Sequence, residues 1–134
     1  MKTMSALDFE HVTPGQALPA LAKHVTVDQI RQYAEASGDR NPIHLDEEFA
    51  RSVGLPGVIA HGLLQMGLLA RVAGDPSRLR RLSCRFAGMV RPGDTVTFRA
   101  TGPATEPELS ALNQEGQPVL TRGRAELRPA KTAD

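Results

Sequence analysis

The chain has 134 residues, 40% of them apolar, with four Phe, one Tyr and no Trp, so a single domain with an aliphatic core is expected. A formal net charge of +1 provides no global field of the kind that gathers nucleic acid. The lone Cys84 excludes an internal disulfide framework and a cysteine-built zinc site, and it fits a reducing, cytoplasmic setting.

The opening MKTMSALDFEHVTPG lacks the apolar stretch of a secretory signal and closes on Thr13-Pro14-Gly15, a turn signal. Ala17–Val25 can form a first strand, broken at Pro19. Thr26-Val27-Asp28-Gln29 has the form of a capping box, and Asp28 suits the positive start of a helix. Val27, Ile30, Tyr33 and Ala34 follow at helical spacing, and Gly38 can close that helix. Asn41-Pro42 cannot continue it, because the proline ring pushes Asn41 toward extended backbone. Asp46-Glu47-Glu48-Phe49 reads as a short capped helix stopped by Gly54, and Leu55-Pro56-Gly57 as a turn.

Within Val58–Ala73, the residues from Gly62 to Ala73 are apolar nearly all round, which predicts a buried helix. It would be about 18 Å long, too short for a bilayer, and no membrane span is expected. Gly74-Asp75-Pro76 ends it. The period then becomes two. Leu82, Cys84 and Phe86 alternate with Arg81, Ser83 and Arg85; Val96, Phe98 and Ala100 with Thr95, Thr97 and Arg99. A third run begins at Leu109, and Val119, Thr121, Gly123, Ala125 and Leu127 alternate with Leu120, Arg122, Arg124, Glu126 and Arg128. These predict antiparallel strands with one wet face. The expected architecture is α+β: about four strands in a meander after the helices, curved around the central helix, in one domain over 1–134 with its core at about 10–128. The tail Pro129–Asp134 reads as disordered. An exposed edge strand would be covered by a second copy, so a dimer is expected.

Seven Arg and two Asp lie between Arg71 and Arg99. The guanidinium fork suits phosphate, which makes Arg78, Arg80, Arg81 and Arg85 candidates for a phosphate-bearing partner; the plainer alternative is a solvated sheet edge. Asp39 and His44 are the candidate catalytic pair, since a carboxylate and an imidazole converging on one water form a general acid–base arrangement. The alternative is that Asp39 caps a loop and His44 lies on the surface. His61-Gly62 opens the apolar helix, where free amide N–H groups can polarise a carbonyl oxygen and a missing side chain permits its approach. His61 also reads as a partly buried histidine satisfied by backbone, Gly62 as a packing residue, and Asn41 as a loop-bonding residue or a substrate contact. His11, His24, His44 and His61 show no metal-binding spacing, so no metal is expected.

Tyr33-Ala34-Glu35-Ala36-Ser37-Gly38-Asp39-Arg40-Asn41-Pro42-Ile43-His44 resembles the hydratase motif of the MaoC-like family of (R)-specific enoyl-CoA hydratases and 3-hydroxyacyl dehydratases. Ala60-His61-Gly62-Leu63-Leu64-Gln65-Met66-Gly67 resembles the start of that family's central helix. The resemblance implies a hotdog fold, an antiparallel sheet wrapped around a central helix. It implies Asp39 and His44 as the residues that activate water, Gly62 as the donor of an N–H to the thioester carbonyl, and Asn41 as the family's loop asparagine; Gly62, Asn41 and His61 together are the candidate substrate-binding residues. It also implies a substrate carried by coenzyme A or acyl carrier protein, no cofactor, and a homodimer or a heterodimer with a related subunit. Where many (R)-hydratases have a Ser further along the central helix, this chain has Ala70, which leaves acyl preference open. The competing readings are a stabilising, non-catalytic subunit and a hotdog thioesterase; the latter needs a base on the central helix, which offers only Gln65 before Arg71.

Overall fold

The capping box at Thr26 forms as its residue types predict. In the computed structural model, which describes residues 20–129, the Thr26 side chain accepts from the Gln29 N–H while the Gln29 side chain bonds back to the Thr26 N–H. Helix α1 then runs over Val27–Ser37 and ends at Gly38, whose φ of 79° is the left-handed geometry that a glycine adopts without strain. Ile30 and Ala34, one turn apart, are its buried residues, whereas Val27 in the first turn stays 45% exposed. Strand β1 precedes it as Leu21–His24. The expected turn at 13–15, residues 17–19 of the expected first strand and the tail from 130 onward lie outside the described residues.

Helix α2 spans Glu47–Ser52, with Asp46 accepting the Phe49 N–H at its start. Helix α3 spans Gly62–Ala73. It packs mainly on β3 (Thr95–Thr101) and β4 (Glu108–Leu112). Leu69, Val72 and Ala73 are buried there with Val96, Phe98, Ala100, Leu109 and Ala111, and this is the centre of the core. The expectation that α3 is buried all round is corrected. Leu63 is 62% exposed and Gly67 and Arg71 are exposed beside it, because one sheet can cover only one side of a helix.

The sheet order is β1-β3-β4-β5-β2, antiparallel at every pairing, with β2 at Leu79–Phe86 and β5 at Pro118–Leu127. The four-strand meander is therefore also corrected: only β3, β4 and β5 follow one another, and β2 crosses to the far side of β5. Strand β5 carries a bulge. Ala111 pairs with Leu120 and Leu109 with Gly123, so one residue more lies on β5 than on β4. Arg122 takes a positive φ of 52° there. A Cβ on Gly123 would run into the Leu109 carbonyl, which is why only glycine fits beside the bulge. The bulge shifts the alternation, so Leu120, expected on the wet face, is buried. Phe86, expected on the apolar face, is 53% exposed at the end of β2.

Candidate active site

The loop after α1 is fixed by short-range bonds. The Ser37 hydroxyl accepts from the Asp39 N–H at 3.1 Å, the Asp39 carboxylate from the Asn41 N–H at 3.2 Å, and the Asn41 side chain from the Ile43 N–H at 3.2 Å. Asn41 thus caps a single 3-10 turn, Pro42–His44, with proline at its first position. The asparagine oxygen serves the loop, as Asn beside Pro commonly does.

That turn delivers His44 to the interior, where it is 9% exposed. The segment before α3 meets it from the other side: the Ile59 N–H donates to the Ile43 carbonyl at 3.1 Å, and the His44 Nδ1–H donates to the Ile59 carbonyl at 2.7 Å. A carbonyl can only accept, so this bond fixes the proton of the neutral ring on Nδ1. The lone pair is left on Nε2, the nitrogen that can take a proton from a reactant.

His61, at the N-cap of α3, ties the two segments together. Its Nε2–H donates to the Asp39 carbonyl at 2.9 Å, and its ring stacks on His44 with centroids 3.8 Å apart at 24°. Tyr33 of α1 closes the other side, its ring edge-on to His61 at 4.7 Å. The residue is 2% exposed and satisfied through backbone at Nε2, while Nδ1 has no partner among the described residues. Backbone thus satisfies one ring nitrogen of His61, as the plainer of its two readings expects, and leaves the other without a bond.

One donor atom each from Asp39, His44 and His61 lie within 4.8 Å of one another. Two groups that each hold a shared water oxygen at about 2.8 Å stand roughly 4.5 Å apart at a tetrahedral angle, so the span suits a water between carboxylate and imidazole. The residue types would also suit a divalent ion. The stacking opposes it: an ion about 2.0 Å from both ring nitrogens would sit well out of at least one ring plane.

Gly62 follows His61 directly and begins α3, with its N–H free of helical partners. Phe86 lies over it: a Cβ on Gly62 would stand 3.2 Å from the Phe86 ring. The loop from Asp39 to His44 and the helix start at His61-Gly62, 17 or more residues apart in sequence, therefore meet. Sequence reasoning missed Phe86 and the role of Tyr33 against His61. The chain's one Tyr, three residues after the buried Ile30 and beside the buried Ala34 on α1, was the signal for the second; nothing local signalled the first. Arg78 donates from Nε to the Arg128 carbonyl at 2.7 Å, so this arginine serves the fold at the strand end.

The model of the MaoC-like domain matches residues 9–106. Among relatives, a probable enoyl-CoA hydratase 2 of Dictyostelium discoideum is 35% identical over 125 residues, which are 87% of this chain and 42% of that protein. The chain thus spans about two-fifths of that relative's length. An (R)-specific enoyl-CoA hydratase of Rhodospirillum rubrum is 35% identical over 105 residues, 75% of this chain and 72% of that one. Among solved structures, the (R)-hydratase from A. caviae involved in PHA biosynthesis superposes with a TM-score of 0.74 at 28% identity, covering 89% of this chain and 99% of that one. The five-stranded sheet on its central helix is the hotdog fold of these neighbours, and the chain belongs to the family of MaoC-like domains.

Proposed function

We propose that the chain is a hydro-lyase that adds water to trans-2-enoyl thioesters and removes it from (R)-3-hydroxyacyl thioesters, carried by coenzyme A or acyl carrier protein. The observation that carries this reading is the His44 ring, held by the Ile59 carbonyl at Nδ1 with no partner at Nε2 among the described residues, beside the Asp39 carboxylate within 4.8 Å. In the proposed reaction the water donates one hydrogen bond to Asp39 and one to His44 Nε2. His44 takes its proton as the oxygen attacks C3. Charge moves to the thioester oxygen, where the Gly62 N–H at the positive end of α3 stabilises the enolate. The proton returns at C2, so water is added across the double bond with nothing left over. Dehydration is the same path reversed. Proton transfer and carbonyl polarisation are sufficient for this chemistry, so no cofactor is invoked.

Crotonyl-CoA hydration, followed by loss of enoyl absorbance and chiral analysis of the product, tests it. Asp39→Asn and His44→Ala should each lower kcat/KM by about 10²–10⁴. Full activity in both variants would reject the assignment. Should the wild type ignore crotonyl-CoA, the same assay with longer enoyl chains decides.

The open face of the molecule favours a paired state. Leu63, Phe86 and Met89 are 62%, 53% and 52% exposed, and among the described residues β2 is a sheet edge paired on one side only. A second copy along β2 would cover both, so a homodimer is part of the proposal, with a related hotdog subunit as the heteromeric alternative. No helix of the described residues is long and apolar enough to cross a membrane; a cytoplasmic location is proposed on the lone cysteine.

A further inference from the structure

Gln65 stands out among the residues of α3. It is 2% exposed, yet neither its Oε1 nor its Nε2 has a hydrogen-bond partner among the described residues. Native interiors seldom leave both ends of an amide unpaired, since each has lost its water without compensation. Gln65 borders a cavity of about 330 Å³ between α1 and α3, within the range of small-molecule sites. Val25, Leu64 and Leu68 give it apolar walls, and Gln32 stands exposed at its rim.

The cavity adjoins the candidate active site. Tyr33 lines it, and the same ring meets His61, which stacks on His44. Leu64, Gln65 and Leu68 lie in the two turns after Gly62. A chain running along α3 from a carbonyl at the helix start would pass all three within about 9 Å. A larger cavity, of about 600 Å³, is lined by charged side chains such as Arg81, Glu108 and Arg124 and by no residue of α1 or α3.

We propose that the α1–α3 cavity receives the acyl chain and that Gln65 makes it selective for an aliphatic chain bearing a hydroxyl beyond the reacting carbons. A hydroxyl accepts from Nε2–H and donates to Oε1, so it satisfies both ends of the amide. A ketone or ether satisfies only the donor, and a plain alkyl chain neither. The inference rests on the hydration reading for the identity of the chain, but not for the existence of the site.

Two measurements test it. In ¹⁵N-labelled protein the Gln65 side-chain amide pair is assigned by its loss in Gln65→Leu. Titration with 1-hexanol should move that pair saturably, and Gln65→Leu or Gln65→Met should weaken hexanol binding at least about fivefold, the worth of one net hydrogen bond. An unmoved amide, or equal affinity in the variants, overturns the proposal. Separately, the wild type should prefer 8-hydroxyoct-2-enoyl-CoA to oct-2-enoyl-CoA by about tenfold in kcat/KM, again on the scale of one to two net hydrogen bonds, and Gln65→Leu should reverse the preference. A ratio that is the same in both proteins contradicts the role of Gln65. Hydration of neither substrate would sink the hydration reading instead, and the hexanol titration would still decide the site.

Discussion

The loop from Gly38 to His44 and the core beneath α3 are built in opposite ways. The loop is exposed from Gly38 to Pro42, and it keeps its shape through side chains that accept neighbouring backbone N–H groups and through two histidines bonded to carbonyls. The core has almost no polar content: Leu69, Val72, Val96 and Phe98 are fully buried against one another. The loop places reactive atoms at a small cost in stability, and the core supplies stability with no reactive atoms. Damage to one should leave the other's property intact.

The largest effect expected is on the loop. Beside their loss of rate, Asp39→Asn, at an exposed side chain, should shift thermal unfolding by only a few degrees, and His44→Ala, which empties a buried ring site, should lower it further while leaving the chain folded. Collapse of the fold in both would show that the loop is a structural keystone and erase the contrast. Next comes the core. Leu69→Ala should cost about 2–5 kcal/mol in denaturant unfolding, with the rate per folded molecule retained.

Gly62→Ala tests the seam between the two regions. Its new Cβ would stand 3.2 Å from Phe86, whose half-exposed ring can give way, so stability should change by about 1 kcal/mol or less. The approach of a carbonyl to the helix start would be obstructed, and kcat/KM should fall by roughly tenfold or more. The smallest effect is Thr26→Ala, which removes the cap of α1 far from the reacting atoms. It should cost about 1 kcal/mol by denaturant unfolding and leave kcat/KM unchanged.

Much of the loop was legible because its causes are local. The capping box at Thr26, the left-handed Gly38 and the stiff Asn41-Pro42 pair each act within four residues, and each forms as their chemistry requires. The meeting of Asp39 with His61 could not be read the same way. Their bond joins residues 22 apart, and its geometry exists only once α3 has packed. The resemblance to MaoC-like hydratases supplied what spacing could not.

The sheet shows the same limit. Alternation identified all four later strands to within two residues or so, but a period of two says nothing about which strand is the neighbour. Thus β2 was expected beside β3 and lies beside β5. The bulge at Arg122 shifted the alternation without any break in the run of side chains; Gly123, needed by the close approach of Leu109, was its only local sign. The exposure of Leu63 was illegible for another reason. An apolar surface reads alike whether it faces its own sheet or a second chain.

The position of one proton tests the account most directly. Long-range ¹H–¹⁵N correlation of the resting protein near neutral pH, with His44 assigned by its loss in His44→Ala, reports which ring nitrogen carries hydrogen. The bond to the Ile59 carbonyl predicts protonated Nδ1 and bare Nε2. A ring protonated at Nε2 alone would leave no base facing the water and would contradict the proposed reaction.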